Sequence, residues 1–153
     1  IPISVGDTPK EVLNEKIELS DISFNYYGAT IGNPHCVIPL DEVTELTAKK
    51  YGAELENHPN FPNRTNVQFL QVINRNRIRI EIWERGAGYT LASGSSSSAA
   101  GAVARKMDAC DQEITVEMPG GEILLSIDDE FNVLMKGPAT RVAQMNIDPE
   151  CLC

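Results

Sequence analysis

A run rich in glycine and serine, Glu84-Arg85-Gly86-Ala87-Gly88-Tyr89-Thr90-Leu91-Ala92-Ser93-Gly94-Ser95-Ser96-Ser97-Ser98-Ala99-Ala100, holds residue types suited to gripping an anion. It follows an alternating segment and leads into Gly101-Ala102-Val103-Ala104-Arg105-Lys106-Met107, an order that reads as strand, turn and helix. Small residues through the turn and the first helical turns let a ligand or another backbone come close. The first N–H groups of a helix lack intrahelical partners and carry a positive partial charge, so an anion fits there. The run has no Lys-Ser/Thr ending of a phosphate-binding loop and no G-x-G-x-x-G, which leaves a carboxylate as the expected anion. A close-packed helix with a serine cap is the competing explanation.

Other polar residues stand at places where the chain is stiff. Pro34 biases Asn33 toward an extended backbone, so Asn33 and His35 are expected on a rigid turn between two apolar strands. A buried structural histidine is the alternative for His35. The loop His58-Pro59-Asn60-Phe61-Pro62-Asn63-Arg64-Thr65-Asn66 delivers Asn66 to the start of the next strand. Glu84 and Arg85 end the strand at the mouth of the glycine turn, beside the expected anion site.

The elements that must carry these groups are mostly strands. Ile1-Pro2-Ile3-Ser4-Val5 is strand-like, Val12-Leu13 and Ile17-Glu18-Leu19 are short apolar runs, and residues 23–30 hold Phe24, Tyr26 and Tyr27. Asp41 is expected to cap a surface helix without chemistry over residues 43–50. Gly52 would stop it, Val43, Leu46 and Tyr51 would face inward, and Glu45 and Lys49 would pair outside. Residues 67–73 and 77–83 form a pair of strands. In the second, Ile78, Ile80 and Ile82 are expected inside and Arg77, Arg79 and Glu81 in water. After the central helix, residues 113–118 and 122–127 make a hairpin around Pro119-Gly120-Gly121, and residues 131–135 add a further strand. The tail from Asn146 to Cys153 has no pattern. The sum is a strand-rich α+β domain, an antiparallel-rich sheet curled around the helix that starts near Ser95.

Composition narrows the partners. With 153 residues the chain is long enough for one domain with a real core. A net charge of −9 without any Lys/Arg cluster argues against nucleic acid and against an anionic membrane surface. No apolar run approaches a membrane span and no signal-peptide pattern opens the chain. Cys36, Cys110, Cys151 and Cys153 show no zinc spacing with His35 and His58, so no metal site is expected, and the cysteine usage points to a reducing cytoplasm. The first residue is Ile1, and the chain is expected to be a piece of something longer.

Gly32-Asn33-Pro34-His35, Arg64-Thr65-Asn66, Glu84-Arg85-Gly86-Ala87-Gly88 and Ala92-Ser93-Gly94-Ser95, in this order and spacing, resemble the C-terminal half of the diaminopimelate epimerase family. The resemblance implies one half of a two-domain, pseudo-symmetric fold, each half a sheet rolled round a central helix with the site in the cleft between them. Residues 1–145 would be that half and residues 146–153 a tail. It also implies cofactor-free inversion at an amino-acid α-carbon, in which one cysteine thiolate removes the proton and a second cysteine thiol returns one on the opposite face. Gly94 and Ser95 would offer N–H groups to the reacting carboxylate, and Asn33, Asn66 and Arg85 would hold the distal part of the substrate. Glu84 would accept from the substrate ammonium, and His35 would help set up proton transfer. The expected partners are a small amino-acid substrate and the N-terminal half of the same enzyme; a homodimer stays open.

The chain departs from the family pattern at two positions. Ser93 stands where the family has its catalytic cysteine, and Tyr89 where a glutamate is usual. A serine hydroxyl holds its proton far more tightly than a thiol at a helix N-terminus. The other base and its half of the pocket would lie in an N-terminal half, so by itself the 153-residue piece is not expected to catalyse epimerisation. Three readings compete: an epimerase, a carboxylate-binding relative that has lost proton transfer, and a structural domain. The set Asn33, Asn66, Glu84 and Arg85 argues against the third, because packing alone does not require it.

Overall fold

A computed structural model describes residues 11–152; the strand-like stretch Ile1-Pro2-Ile3-Ser4-Val5 and the terminal Cys153 lie outside the described residues. Strand β1 (Glu15–Glu18) pairs antiparallel with β2 (Ser23–Thr30), and β2 with β3 (Pro34–Pro39). The chain crosses through helix α1 (Glu45–Glu56) to β4 (Asn66–Asn74), which lies parallel to β3. β4 turns back antiparallel into β5 (Arg77–Glu84). The free edge of β5 is then shared: its end takes the short antiparallel β6 (Gly88–Thr90), and its start takes β7 (Glu113–Met118) in parallel. Helix α2 (Gly94–Lys106) runs from one to the other. β8 (Gly121–Ile127) and β9 (Val133–Lys136) follow as antiparallel neighbours, completing a mixed nine-stranded sheet of an α+β domain.

The two helices lie on opposite faces of the sheet. Alternation in β3 sends Val37 toward α2 and Cys36 and Ile38 toward α1; in β4 it sends Leu70 toward α2 and Val67 and Phe69 toward α1. The α2 layer also contains Ile78, Ile80, Ile82, Ile114, Val116, Leu125 and Ile127, so the sheet bends round that helix. Strands β2 to β5 and β7 to β9 all touch α2, the curled arrangement expected from the sequence.

Helix α1 differs from its sequence expectation at both ends. Thr44, not Asp41, is the N-cap, and its hydroxyl accepts from the Thr47 amide at 3.2 Å. Val43 before the cap and Ala48 in the next turn share one buried cluster, which fixes where the helix can begin. Leu46 is 80% exposed rather than inward, because the buried stripe runs through Ala48, Gly52, Leu55 and Glu56. Gly52 does not stop the helix but lies within it, under the Trp83 indole. A β-carbon there would stand 2.4 Å from two of the ring carbons.

Three further expectations change. His35 lies inside β3, fully buried, instead of on the turn before it. Glu81 is buried rather than wet, because that face of β5 is covered by α1 and by β6; its carboxylate accepts from the Tyr89 hydroxyl at 2.8 Å. The last strand is Val133–Lys136, later than residues 131–135, and Pro149–Leu152 in the tail forms a short 3₁₀ turn. Gly52→Ala should lower stability by about 1–3 kcal/mol, because overpacking against Trp83 outweighs the gain of about 1 kcal/mol in helix propensity. The urea midpoint of the variant against the parent chain checks this.

Candidate functional site

The face of the sheet that holds α2 changes character along its length. β4 reads Leu70 and Val72 at its far end but Asn66 and Gln68 at its start, and β3 reads Val37 and then His35. β5 runs the other way, with Ile78, Ile80 and Ile82 before Glu84. Register places His35 opposite Asn66, and Val67 opposite Trp83, so the polar ends of all three strands meet at one edge. That edge is where α2 begins: Gln68 Nε2 lies 3.0 Å from the Ser96 hydroxyl in the first turn of the helix.

Ser93 is the N-cap of α2, with its hydroxyl accepting from the Ser96 amide at 3.4 Å and 3.2 Å from the Ser95 hydroxyl. Its own N–H faces the sulfur of Met118 at 3.5 Å. The cap reaches Ser96 only, so among the described residues the N–H groups of Gly94 and Ser95 make no hydrogen bond, as first-turn amides do unless something outside the helix accepts from them. Met135 lies across the opening, 2.9 Å from where a β-carbon on Gly94 would be. Ser93, Gly94 and Ser95 are partly exposed at this mouth.

Around the mouth, asparagines hold the backbone. The side chain of Asn66 accepts from the Arg85 amide at 3.1 Å and donates to the Pro34 carbonyl at 2.9 Å, joining the turn before β3 to the turn after β5. Asn33 Oδ1 is 3.0 Å from His35 Nε2. Arg85 Nη1 donates to the Asn63 carbonyl at 3.1 Å. Asn33, Asn63, Arg64 and Arg85 line a half-open cavity of about 260 Å³ with Phe61 at one side. Glu84 faces the α2 side, its carboxylate 3.4 Å from the Thr90 hydroxyl. Asn33, His35, Asn66, Glu84 and Arg85 are thus brought together; Ser93, Gly94 and Ser95 do not line this cavity and are linked to it through Gln68.

The turn itself is held from the α1 layer by a residue that carries no signal in the sequence. Glu56 is buried, and one of its oxygens accepts from the Gly86 amide at 2.9 Å and from Arg64 Nη1 at 2.9 Å. The other accepts from the Trp83 indole at 2.8 Å. Helix α1 therefore shapes the Glu84-Arg85-Gly86 turn and is more than a surface layer. Gln68, by contrast, carries a signal in the sequence: two residues beyond Asn66 in a strand, it must share that residue's face. The change at Tyr89 bears on the other side of the sheet. Tyr89 pairs with Trp83, and its hydroxyl meets Glu81 on the α1 face.

Burial lowers the pKa of His35 to about 4, and Glu84 and Arg85 pull it in opposite directions, so the ring is neutral near pH 7. Burial pushes the thiols of Cys36 and Cys110 up, and Cys36 faces the α1 layer, so neither supplies a thiolate to the mouth of α2. Among the described residues no three His, Cys, Asp or Glu side chains converge as metal ligands, and no helix is long and apolar enough to cross a membrane.

Residues 27–142 match the family model described as diaminopimelate epimerase. The chain belongs to the diaminopimelate epimerase family. It is 54% identical over 150 residues to diaminopimelate epimerase 2 of Nostoc sp., an alignment that covers 98% of this chain and 52% of the relative. It is 35% identical over 143 residues to diaminopimelate epimerase 1 of the same organism, covering 93% and 51%. The chain thus spans about half the length of the curated relatives it matches. Among solved structures it resembles a hydroxyproline epimerase from Agrobacterium vitis, with a TM-score of 0.55 at 13% identity over 75% of this chain and 40% of that one. It also resembles a phenazine biosynthesis protein of the PhzF family from Bacillus anthracis, with a TM-score of 0.52 at 15% identity over 73% and 38%. At these identities the two likenesses speak for the fold alone.

Two measurements test the site's construction. Glu56→Ala leaves the Gly86 and Trp83 donors without their acceptor and should cost about 2–3 kcal/mol. The amide resonance of Gly86 should shift while those of β8 do not; a stability equal to the parent's would contradict the clamp. His35 is buried neutral, so its folded pKa of about 4 lies below the ordinary 6.5. The stability this carries is complete above pH 6.5 and is lost as the pH falls toward 4, on the order of 3 kcal/mol in all. Denaturation at pH 7 and pH 4.5 should give a smaller difference for His35→Gln than for the parent.

Proposed function

We propose that this chain is the C-terminal half of a cofactor-independent amino-acid epimerase that inverts the α-carbon of diaminopimelate. The observation that carries the reading is the gathering of Asn33, His35, Asn66, Glu84 and Arg85 at the same sheet edge as the unpaired amides of Gly94 and Ser95. In this reading the reacting carboxylate sits on those two amides, where the helix N-terminus stabilises the negative charge that develops when the α-proton leaves. Arg85, with Asn33, holds the distal end in the half-open cavity, its guanidinium matching a carboxylate with two N–H groups, and Asn66 contributes by fixing the Arg85 and Pro34 backbone beside it. Glu84 takes the substrate ammonium, and His35 stands as a neutral imidazole beside Asn33 to help set up proton transfer. Residues 1–145 form the domain and 146–153 a tail. An N-terminal half with a thiolate of its own closes the cleft and excludes water, and a homodimer of the whole enzyme is compatible with this arrangement. No cofactor takes part, and the setting is a reducing cytoplasm.

Ser93 favours a second reading, in which the pocket binds an amino acid without inverting it. Its hydroxyl is in contact with the Ser95 hydroxyl and the Ser96 amide and, among the described residues, with no base. A cysteine at the same cap would be a stronger acid, because the helix N-terminus stabilises its thiolate.

Uptake of solvent deuterium at the α-carbon of diaminopimelate, followed with the full-length protein carrying Ser93 or Ser93→Cys, separates the readings. Exchange by both forms supports an epimerase with a different arrangement of bases. Exchange by Ser93→Cys alone supports the binding reading, with only the thiol missing. If neither form exchanges, diaminopimelate is not the substrate.

A further inference from the structure

Gln68 is wholly buried in the middle of the sheet, an unusual place for a primary amide. Its neighbours across the ladder are Val37 and Ile82, so it could be apolar at no cost to the core. Its side chain reaches forward to Ser96 at 3.0 Å, and it stands on the same face of the sheet as His35, two positions along the β3–β4 ladder. Yet Gln68 Oε1 and His35 Nδ1 are both buried without a hydrogen-bond partner. Two such orphans on adjacent strands are costly, because each has lost its water without gaining a partner.

One change satisfies both. The two ends of a primary amide exchange places by a half-turn of the last side-chain bond, and the hydrogen-bond network decides which way it lies. Turned so, Nε2 of Gln68 donates to His35 Nδ1, and Oε1 accepts from the Ser96 hydroxyl. Nε2–H of His35 then donates to Asn33 Oδ1, whose distance of 3.0 Å is unchanged. Every polar atom in the line then has a partner, with one of the two Gln68 Nε2 hydrogens given to His35 Nδ1.

We infer that Gln68 is a positioning residue: it holds His35 as the Nε2–H tautomer and fastens the Asn33 turn to the first turn of α2. The line Asn33, His35, Gln68, Ser96 joins the distal cavity to the helix start, and Ser96 in turn donates its amide to the Ser93 cap. What the strut serves rests on the epimerase reading; the tautomer does not. In that reading the strut sets the separation between the groups holding the substrate's distal end and the amides holding its reacting carboxylate.

The test is two-bond proton–nitrogen correlation NMR of the 153-residue chain at pH 7, with ¹⁵N in the histidine rings. There are two histidines, and His58 is an internal reference: its Nδ1 accepts from the Asn60 amide and its Nε2 faces the Glu18 carbonyl, so it too is Nε2–H. His35 should show the Nε2–H pattern. In Gln68→Glu the carboxylate can only accept, so the ring should change to the Nδ1–H form or to imidazolium while His58 keeps its pattern. Glu84 and Arg85, the charged groups facing the ring, are the same in both proteins. An Nδ1–H ring in the parent chain overturns the inference whatever the variant does, and so does an unchanged ring in a folded Gln68→Glu. A failure of deuterium exchange with diaminopimelate would remove the epimerase reading and leave the tautomer result standing.

Discussion

A sheet can close round a helix only if that helix is thin. Ala99, Ala100 and Ala104 of α2 are wholly buried, and Gly101 lets the backbone come so near β8 that a β-carbon would lie 2.5 Å from a Leu125 methyl carbon. Seven strands can therefore reach one helix. The serines meet the same limit: Ser97 and Ser98 return their hydroxyls to the carbonyls of Ser93 and Gly94, at 2.8 and 3.0 Å, so small polar side chains enter the core with a partner. The helix must also start with room at its N-terminus, because large side chains there would collide with Met135 and fill the mouth. Thinness and an open N-terminus thus have the same origin in the sequence.

The other layer gives the site its rigidity. Trp83 lies on Gly52 of α1 and donates to Glu56, whose carboxylate also holds the Gly86 amide and Arg64. The turn that presents Arg85 is therefore clamped from behind by a buried acceptor and from the side by Asn66. Arg64 takes a left-handed backbone, φ 59°, just before β4, a strained state for a residue with a side chain, and its salt bridge to Glu56 helps offset that strain. A planar guanidinium has a defined direction only when the backbone that carries it is held in this way.

The polar edge shows how strand direction builds a site from distant segments. β3 and β4 run parallel, so their N-terminal residues His35 and Asn66 stand side by side; β5 runs against them, so it contributes from its C-terminal end, at Glu84. Helix α2 arrives at that edge because the chain leaves β5 through β6, on the part of the edge that β7 does not use. The Glu84 carboxylate, the Arg85 guanidinium, the His35 imidazole and the side chains of Asn33 and Asn66 then gather at the end of the sheet where α2 begins, although they come from three separate segments of the chain.

Most of the strands, the central helix with its small residues and the polar residues that flank them follow from the sequence; the short β6 does not, since Gly88-Tyr89-Thr90 reads as part of the glycine turn until it pairs with the end of β5. Alternation in β5, the turn at Pro119-Gly120 and the serine cap are local properties, written in neighbouring residues. The boundaries of α1, the burial of Glu81 and His35, and the part played by Glu56 were decided by tertiary structure. Gly52 reads as a stop until Trp83 is laid on it from a strand thirty-one residues later, and Glu56 reads as one more surface acid until the turn folds over it. Gln68 lies between the two cases: its face follows from Asn66, but its partners come from β3 and α2. Periodicity reports which way a side chain points; only packing brings in the group that it meets.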